Sequence, residues 1–206
     1  MSDIQPQLYL ATPPSFDPAP FGDLLARVLD AAPVACLRLA LAGDDESDLG
    51  RAADACREIA HARDIAVVID RFPVLAARHG LDGVHLLNGA KEVRYARKEL
   101  GADAIVGASC GASRHDGMNA GEAGADYVSF GPVGESALLT GPRPEMELFQ
   151  WWSEVIEVPV VAEGALTLDL VRTLAPMTDF IALGAEVWGA DDPVAALKAF
   201  AAALAG

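Results

Sequence analysis

The chain has 206 residues, 52% of them hydrophobic and 22% charged, which suits one packed domain spanning 1–206 and excludes a disordered polypeptide. Thirty acidic against fifteen basic residues leave a formal charge of −15, which opposes nonspecific contact with nucleic acid or an anionic membrane. No charge-free stretch approaches the ~20 residues of a spanning helix, and no basic segment followed by an apolar run marks a secretion signal. Three cysteines without close spacing (Cys36, Cys56 and Cys110) read as reduced thiols, so a cytoplasmic protein is expected.

In chain order, short apolar runs at 8–11, 36–40, 65–69, 83–87, 104–107, 127–131, 158–162 and 180–184 read as eight strands. Each is too short for a helix and too continuous for a half-exposed strand, as expected of parallel strands covered on both faces. Five of the runs follow an aspartate directly: Asp64, Asp82, Asp103, Asp126 and Asp179. Segments with helical periodicity lie between them, among them 49–63, 91–100, 114–123 and 145–155, and 193–204 closes the chain. Eight strand–helix units in a chain of this length predict an α/β fold, a single (β/α)8 TIM barrel, with an open doubly wound sheet as the alternative.

Reactive groups in such a barrel sit where each strand ends and its loop begins. The strand reading alone therefore selects Thr12, Arg38, Asp70, Arg71, His85, Asn88, Ser109, Cys110, Gly131, Glu163, Gly164, Gly184 and Glu186. Each has a plainer reading. Arg38 in an apolar strand requires a partner, so it faces either the pocket or an internal salt bridge. Asp70-Arg71 reads either as part of the site or as a strand-end pair capping the next helix. His85 is a pocket group or a satisfied structural histidine. Cys110 reads as structural rather than nucleophilic. Phe149, Trp151 and Trp152 are expected to pack on the barrel or on another subunit, and His61 and His79 to face solvent.

At these positions the chain resembles the thiamine phosphate synthase family, which includes tautomerase-like barrels. The resemblance rests on Leu8-Tyr9-Leu10-Ala11-Thr12, Leu37-Arg38, Asp82-Gly83-Val84-His85-Leu86, the run from Ala123 to Val133, and Pro159-Val160-Val161-Ala162-Glu163-Gly164. It implies an enzyme of thiamine biosynthesis, a transferase that joins hydroxymethylpyrimidine diphosphate to thiazole phosphate with release of diphosphate. It also implies Mg²⁺ and a homodimer. Carried over by position, Arg38 would touch the diphosphate, Asp70 the metal, Ser109 the pyrimidine side, and Gly164 with Gly184 the thiazole phosphate. Thr12, His85, Gly131 and Glu163 complete the expected substrate-binding set. Arg38, Ser109 and His115 are the catalytic candidates, His115 closing a Cys-x-x-Ser-Arg-His run that looks like a variant branch of the family.

The chain also departs from the family pattern. Ala40 stands where a lysine is expected, Ile69 precedes Asp70 where the family has Asn, and Leu87-Asn88-Gly89-Ala90 lacks the second metal-binding aspartate. The loop from Gly134 to Gly141 lacks the phosphate-binding lysine, and Gly111 replaces the tautomerase histidine. One preorganised electrostatic contact supplies on the order of 3–4 kcal/mol of transition-state stabilisation. Losing several predicts weak or absent synthase activity. Glu163 and Glu186 are expected to point into the phosphate cup and repel an anion unless protonated or paired. The alternative is a noncatalytic or repurposed member that binds a thiamine-related small molecule or a partner subunit.

Overall fold

The computed structural model describes residues 5–135 and 141–206, so the central part of the Gly134–Gly141 loop lies outside the described residues. Eight parallel strands close in sequence order into a barrel. They are β1 (Gln7–Ala11), β2 (Val34–Leu39), β3 (Ala66–Asp70), β4 (Gly83–Leu86), β5 (Ile105–Ser109), β6 (Tyr127–Phe130), β7 (Val160–Glu163) and β8 (Phe180–Leu183). β8 returns to pair with β1, Leu8 opposite Ile181 and Leu10 opposite Leu183, so no sheet edge is left open. The open-sheet alternative is thereby excluded.

The helices are α1 (Pro18–Leu29), α2 (Glu46–His61), α3 (Pro73–Arg78), α4 (Val93–Leu100), α5 (Arg114–Ala123), α6 (Met146–Val155), α7 (Leu168–Leu174), α8 (Ala185–Trp188) and α9 (Pro193–Ala205). Their starts follow from local chemistry. Asp17, Asp45, Ser113, Thr167 and Asp192 each accept a backbone N–H of the first turn, satisfying donors that have no partner within the helix. The four-residue α8, which carries Glu186, is absent from the sequence reading because it is too short to show a period.

Strand alternation divides the apolar residues into two clusters. The larger lies between strands and helices and includes Leu10, Leu37, Ile69, Leu86, Phe130 and Leu183. Phe149 and Trp152 are buried in it against Phe130, and Trp152 donates to the Val158 carbonyl at 2.7 Å, so the aromatic group of α6 packs on the barrel. The smaller cluster fills the barrel interior with Tyr9, Cys36, Val68, Tyr127, Val161 and Ala182. Above it, toward the C-terminal ends of the strands, the inward positions become polar: Arg38, Asp70, His85, Ser129 and Glu163.

The recurring aspartates find a physical role at the opposite end. Asp82, Asp126 and Asp179, which precede β4, β6 and β8, each accept a backbone N–H from the first two residues of the preceding strand: Val67 at 2.6 Å, Val106 at 2.7 Å and Val160 at 2.8 Å. His61 bonds Asp82 from an exposed position, as its helix placement predicts. His79 does not face solvent. Its ring sits beside Asp54 at 3.0 Å, with the side chain only 19% exposed.

Candidate active site

The centre of the site is an ion cluster across the barrel mouth. Arg38 on β2 donates from Nη1 to Glu163 Oε2 on β7 at 2.8 Å, and its Nε lies 3.4 Å from Asp70 Oδ1 on β3. Glu163 Oε1 accepts from the Ser129 hydroxyl at 2.6 Å. One cation thus faces two carboxylates. The contact with Asp70 is an ion pair without a hydrogen bond, and among the described residues Arg38 Nε and Asp70 Oδ1 are both buried without hydrogen-bond partners.

Charge states follow from this arrangement. Burial works against the Arg38 charge, but Glu163 and Asp70 outweigh it and hold the guanidinium protonated well above its ordinary range. Burial would raise Glu163, yet Arg38 and the hydrogen bonds from Ser129 and Arg38 bring it down to about 2. Asp70 is pushed up to about 6, because its burial exceeds the help it receives from Arg38. Glu163 is therefore a paired carboxylate, not the free anion expected in a phosphate cup.

Beneath the cluster runs a hydrogen-bond chain: His85 Nδ1 to the Tyr127 hydroxyl at 2.8 Å, and that hydroxyl to Tyr9 at 2.7 Å. Burial, reinforced by Arg38, lowers His85 to about 3 and keeps the imidazole neutral. Its Nε2 is buried without a partner. Gly107 makes room for the chain, since a Cβ there would lie 2.0 Å from the Tyr127 ring.

The other expected residues lie around this centre. Ser109 lines a cleft of about 730 Å³ at the tips of β4 and β5, with Asn88, Lys91, Cys110, Asp116 and Asn119. Arg38 does not line it, so the cleft lies beside the ion cluster and not over it. Thr12 is buried, and its hydroxyl accepts the Ala40 N–H at 3.1 Å, tying the ends of β1 and β2 together. His115 is exposed on the first turn of α5, and the structure does not bring it to the Arg38 cluster. Cys110 is buried, and its thiol is pushed up to about 12 by burial, which leaves it no nucleophile at neutral pH. Arg71, at a φ of +70°, clasps the β2 loop through the carbonyls of Leu41 and Gly43. The α3 N-cap is Phe72, with no side-chain cap, so Asp70-Arg71 does not cap that helix.

Gly131, Gly164 and Gly184 shape the rim. A Cβ at Gly131 would lie 2.4 Å from the Glu163 carbonyl, whereas Gly184 has ordinary van der Waals room. Gly164 adopts a φ of +90° directly after β7. Glu186 does not stand free in the cup either: its two carboxylate oxygens accept the Leu166 and Gly184 N–H groups at 2.9 and 2.8 Å.

Ser129, Tyr9 and Tyr127 are missing from the sequence reading. Counting alternate residues inward, Arg38 with Cys36 and His85 with Gly83, identifies the inner face, and the same count on β6 gives Tyr127 and Ser129.

For Mg²⁺, Asp70 Oδ1 is a buried carboxylate oxygen that Arg38 faces without a hydrogen bond, and the described residues hold no cluster of three or more metal-ligating side chains. That suits an ion held by one carboxylate with substrate phosphates and water supplying the rest.

A closed eight-stranded parallel barrel with helices between its strands and an ionic cluster at the C-terminal strand ends defines a (β/α)8 barrel. The family model "Thiamine monophosphate synthase" matches residues 8–187, and the chain belongs to that family. Thiamine-phosphate synthase of Rhodospirillum centenum is 43% identical over 205 residues, covering 97% of this chain and 98% of that one. The Erythrobacter litoralis protein of the same name is 39% identical over 210 residues, covering 99% and 98%. Among solved structures, thiamine phosphate pyrophosphorylase from Pyrococcus furiosus superposes with a TM-score of 0.82 at 22% identity, covering 97% and 95% of the two chains. A 3-hexulose-6-phosphate synthase structure superposes at 0.71 with 17% identity, over 96% and 99% of the chains, so the likeness of structures speaks for the fold alone.

Proposed function

We propose that this chain is a transferase of the thiamine-phosphate synthase type, joining a pyrimidine diphosphate to a thiazole phosphate at the barrel mouth, with low turnover. The resemblance of its curated relatives over nearly their whole length supports the reaction class. The observation that carries the low turnover is the Arg38 cluster, in which one cation is already matched by Asp70 and Glu163. A departing diphosphate needs positive charge, and a guanidinium held by two carboxylates has little to spare.

The residues divide the work as follows. Arg38 directs its fork toward the departing diphosphate while Glu163 and Ser129 hold its orientation. Asp70 is the residue that would hold Mg²⁺, which when bound supplies the charge the protein lacks. His85 stays neutral and keeps one ring nitrogen for the pyrimidine side, its other nitrogen fixed by Tyr127. Ser109 contributes a hydroxyl from the neighbouring cleft. The three buried free cysteines support a reducing cytoplasmic setting.

Thermal unfolding with pyrimidine diphosphate, thiazole phosphate or thiamine phosphate, each with Mg²⁺, tests the assignment. Binding to the folded state raises the midpoint. A rise with the pyrimidine diphosphate and with thiamine phosphate is expected. No rise with either contradicts the assignment.

A further inference from the structure

The hydrogen-bond relay beneath the ion cluster has a direction, and the direction decides which ring nitrogen of His85 carries the proton. Tyr9 on β1, Tyr127 on β6 and His85 on β4 are all buried. The Tyr127 hydroxyl stands between the other two, 2.7 Å from the Tyr9 hydroxyl and 2.8 Å from His85 Nδ1. Ring packing holds it there: Tyr127 meets Tyr9 edge-on and lies nearly parallel to His85, with centroids 5.8 and 5.6 Å apart. Gly107 leaves the space, since a Cβ at that position would lie 2.3 Å from the Tyr127 hydroxyl oxygen.

Each hydroxyl has one proton to give, and so has the neutral imidazole. Two directions satisfy the distances. In the first, His85 Nδ1–H donates to Tyr127 and Tyr127 donates to Tyr9. The Tyr9 proton then has no good acceptor: among the described residues its hydroxyl bonds Tyr127 alone, and the sulfur of Cys36, in the same interior cluster, is a weak acceptor. His85 Nε2 is left as an unused buried lone pair besides. In the second direction, Tyr9 donates to Tyr127 and Tyr127 donates to Nδ1. Both hydroxyl protons are then used, and Nε2–H is the one group without a partner. Unpaired buried polar groups are costly, and the second direction leaves one fewer.

We infer that Tyr9 and Tyr127 are positioning residues: their hydroxyl protons both run toward Nδ1 and hold His85 as the Nε2–H tautomer, so that the imidazole offers the site a hydrogen-bond donor. The nitrogen that carries the proton is set by the bond the other one makes. A ligand atom that meets Nε2–H is an acceptor, such as an unprotonated ring nitrogen, and not an amine N–H. That this donor serves the pyrimidine partner rests on the transferase reading; the place of the proton does not.

The tautomer is read at neutral pH from long-range ¹H–¹⁵N correlations of the ¹⁵N-labelled full chain and its Tyr9→Phe and Tyr127→Phe variants. His85→Gln identifies the His85 signals by their loss, and cooperative thermal unfolding checks that each variant folds. In the unaltered chain Nδ1 should resonate as an unprotonated, pyridine-type nitrogen and Nε2 as a protonated, pyrrole-type one. Tyr9→Phe should keep the proton on Nε2, because Tyr127 still has Nδ1 as its acceptor. Tyr127→Phe takes the donor away and should move the Nδ1 resonance from its hydrogen-bonded position, a change that a merely structural role for the tyrosine does not require. A proton on Nδ1 in the unaltered chain or in Tyr9→Phe overturns the inference, as does an Nδ1 resonance that folded Tyr127→Phe leaves unmoved. Should Tyr127→Phe fail to fold, the unaltered chain and Tyr9→Phe decide the matter. No thiamine precursor is present, so the result stands apart from whether thiamine phosphate is formed.

Discussion

Arg38 on β2 and Glu163 on β7 meet across the barrel mouth, Nη1 to Oε2 at 2.8 Å, with side chains only 13% and 17% exposed. Removing one member of so buried a pair leaves the other uncompensated, which costs about 3–5 kcal/mol. Arg38→Met strands both Glu163 and Asp70 and should lie at the upper end. Glu163→Gln leaves Arg38 its Asp70 partner and should cost less. Urea unfolding of the two variants checks the order.

The acid dependence of stability follows from three groups with shifted protonation. His85 is held to about 3 against an ordinary 6.5, so the unfolded chain binds the extra proton below 6.5 and stability falls with acid. Glu163, at about 2 against 4.5, contributes stability present above 4.5 and lost as pH falls toward 2. Asp70, at about 6 against 3.8, works the other way: the folded chain takes up the proton first, so acid stabilises between 6 and 3.8. His85 and Asp70 oppose each other in that window, and the decline from this trio should steepen only near 4. Asp70→Asn removes the opposing contribution, and its decline should begin near 6.5. Urea midpoints measured down the pH range distinguish the two profiles, each uncompensated proton giving a slope of about 1.4 kcal/mol per pH unit.

Most of the barrel is legible in the sequence because parallel strands buried on both faces leave continuous apolar runs, and the five aspartates mark their starts. Position 114–123 is a helix with the bounds the period predicts, since Ser113 caps it and Gly124 ends it in the left-handed conformation. Arg38, Asp70, His85 and Glu163 are legible as polar breaks at strand ends. Their pairing is not, because register and strand tilt decide which side chains meet inside a barrel. Glu186 illustrates the limit. Its place after β8 reads as an anion in the cup, but only the positive-φ turn at Gly164-Ala165 brings an amide from the neighbouring loop to receive it.

The aspartate caps at the N-terminal strand ends should carry stability without touching activity. Asp179→Ala strips the side-chain acceptor from the buried Val160 N–H and should cost about 1–3 kcal/mol. Asp103 is exposed and has no side-chain hydrogen bond among the described residues, so Asp103→Ala should stay within about 0.5 kcal/mol. Thermal unfolding of both variants beside the unaltered chain tests the contrast.

Two rim glycines should respond differently to an added methyl. At Gly134 a Cβ would lie 1.7 Å from the Ala165 carbonyl oxygen, so Gly134→Ala forces the β6 and β7 loops apart and should destabilise by at least about 1–3 kcal/mol. At Gly184 the nearest atom is 3.6 Å away at Ala11 Cβ, an ordinary van der Waals contact, so Gly184→Ala should cost less than Gly134→Ala. Urea midpoints separate the two.

Steady-state formation of thiamine phosphate from the pyrimidine diphosphate and thiazole phosphate with Mg²⁺ tests the central claim most directly. Enzymes commonly turn over near 10 s⁻¹, and each lost preorganised contact slows them by roughly 10²–10³, so more than one loss takes the rate below about one per minute. With its cation balanced by two carboxylates, this protein should form product at less than about one turnover per minute. A rate well above that would contradict the compensated-cation account, and complete absence of product would contradict the transferase assignment.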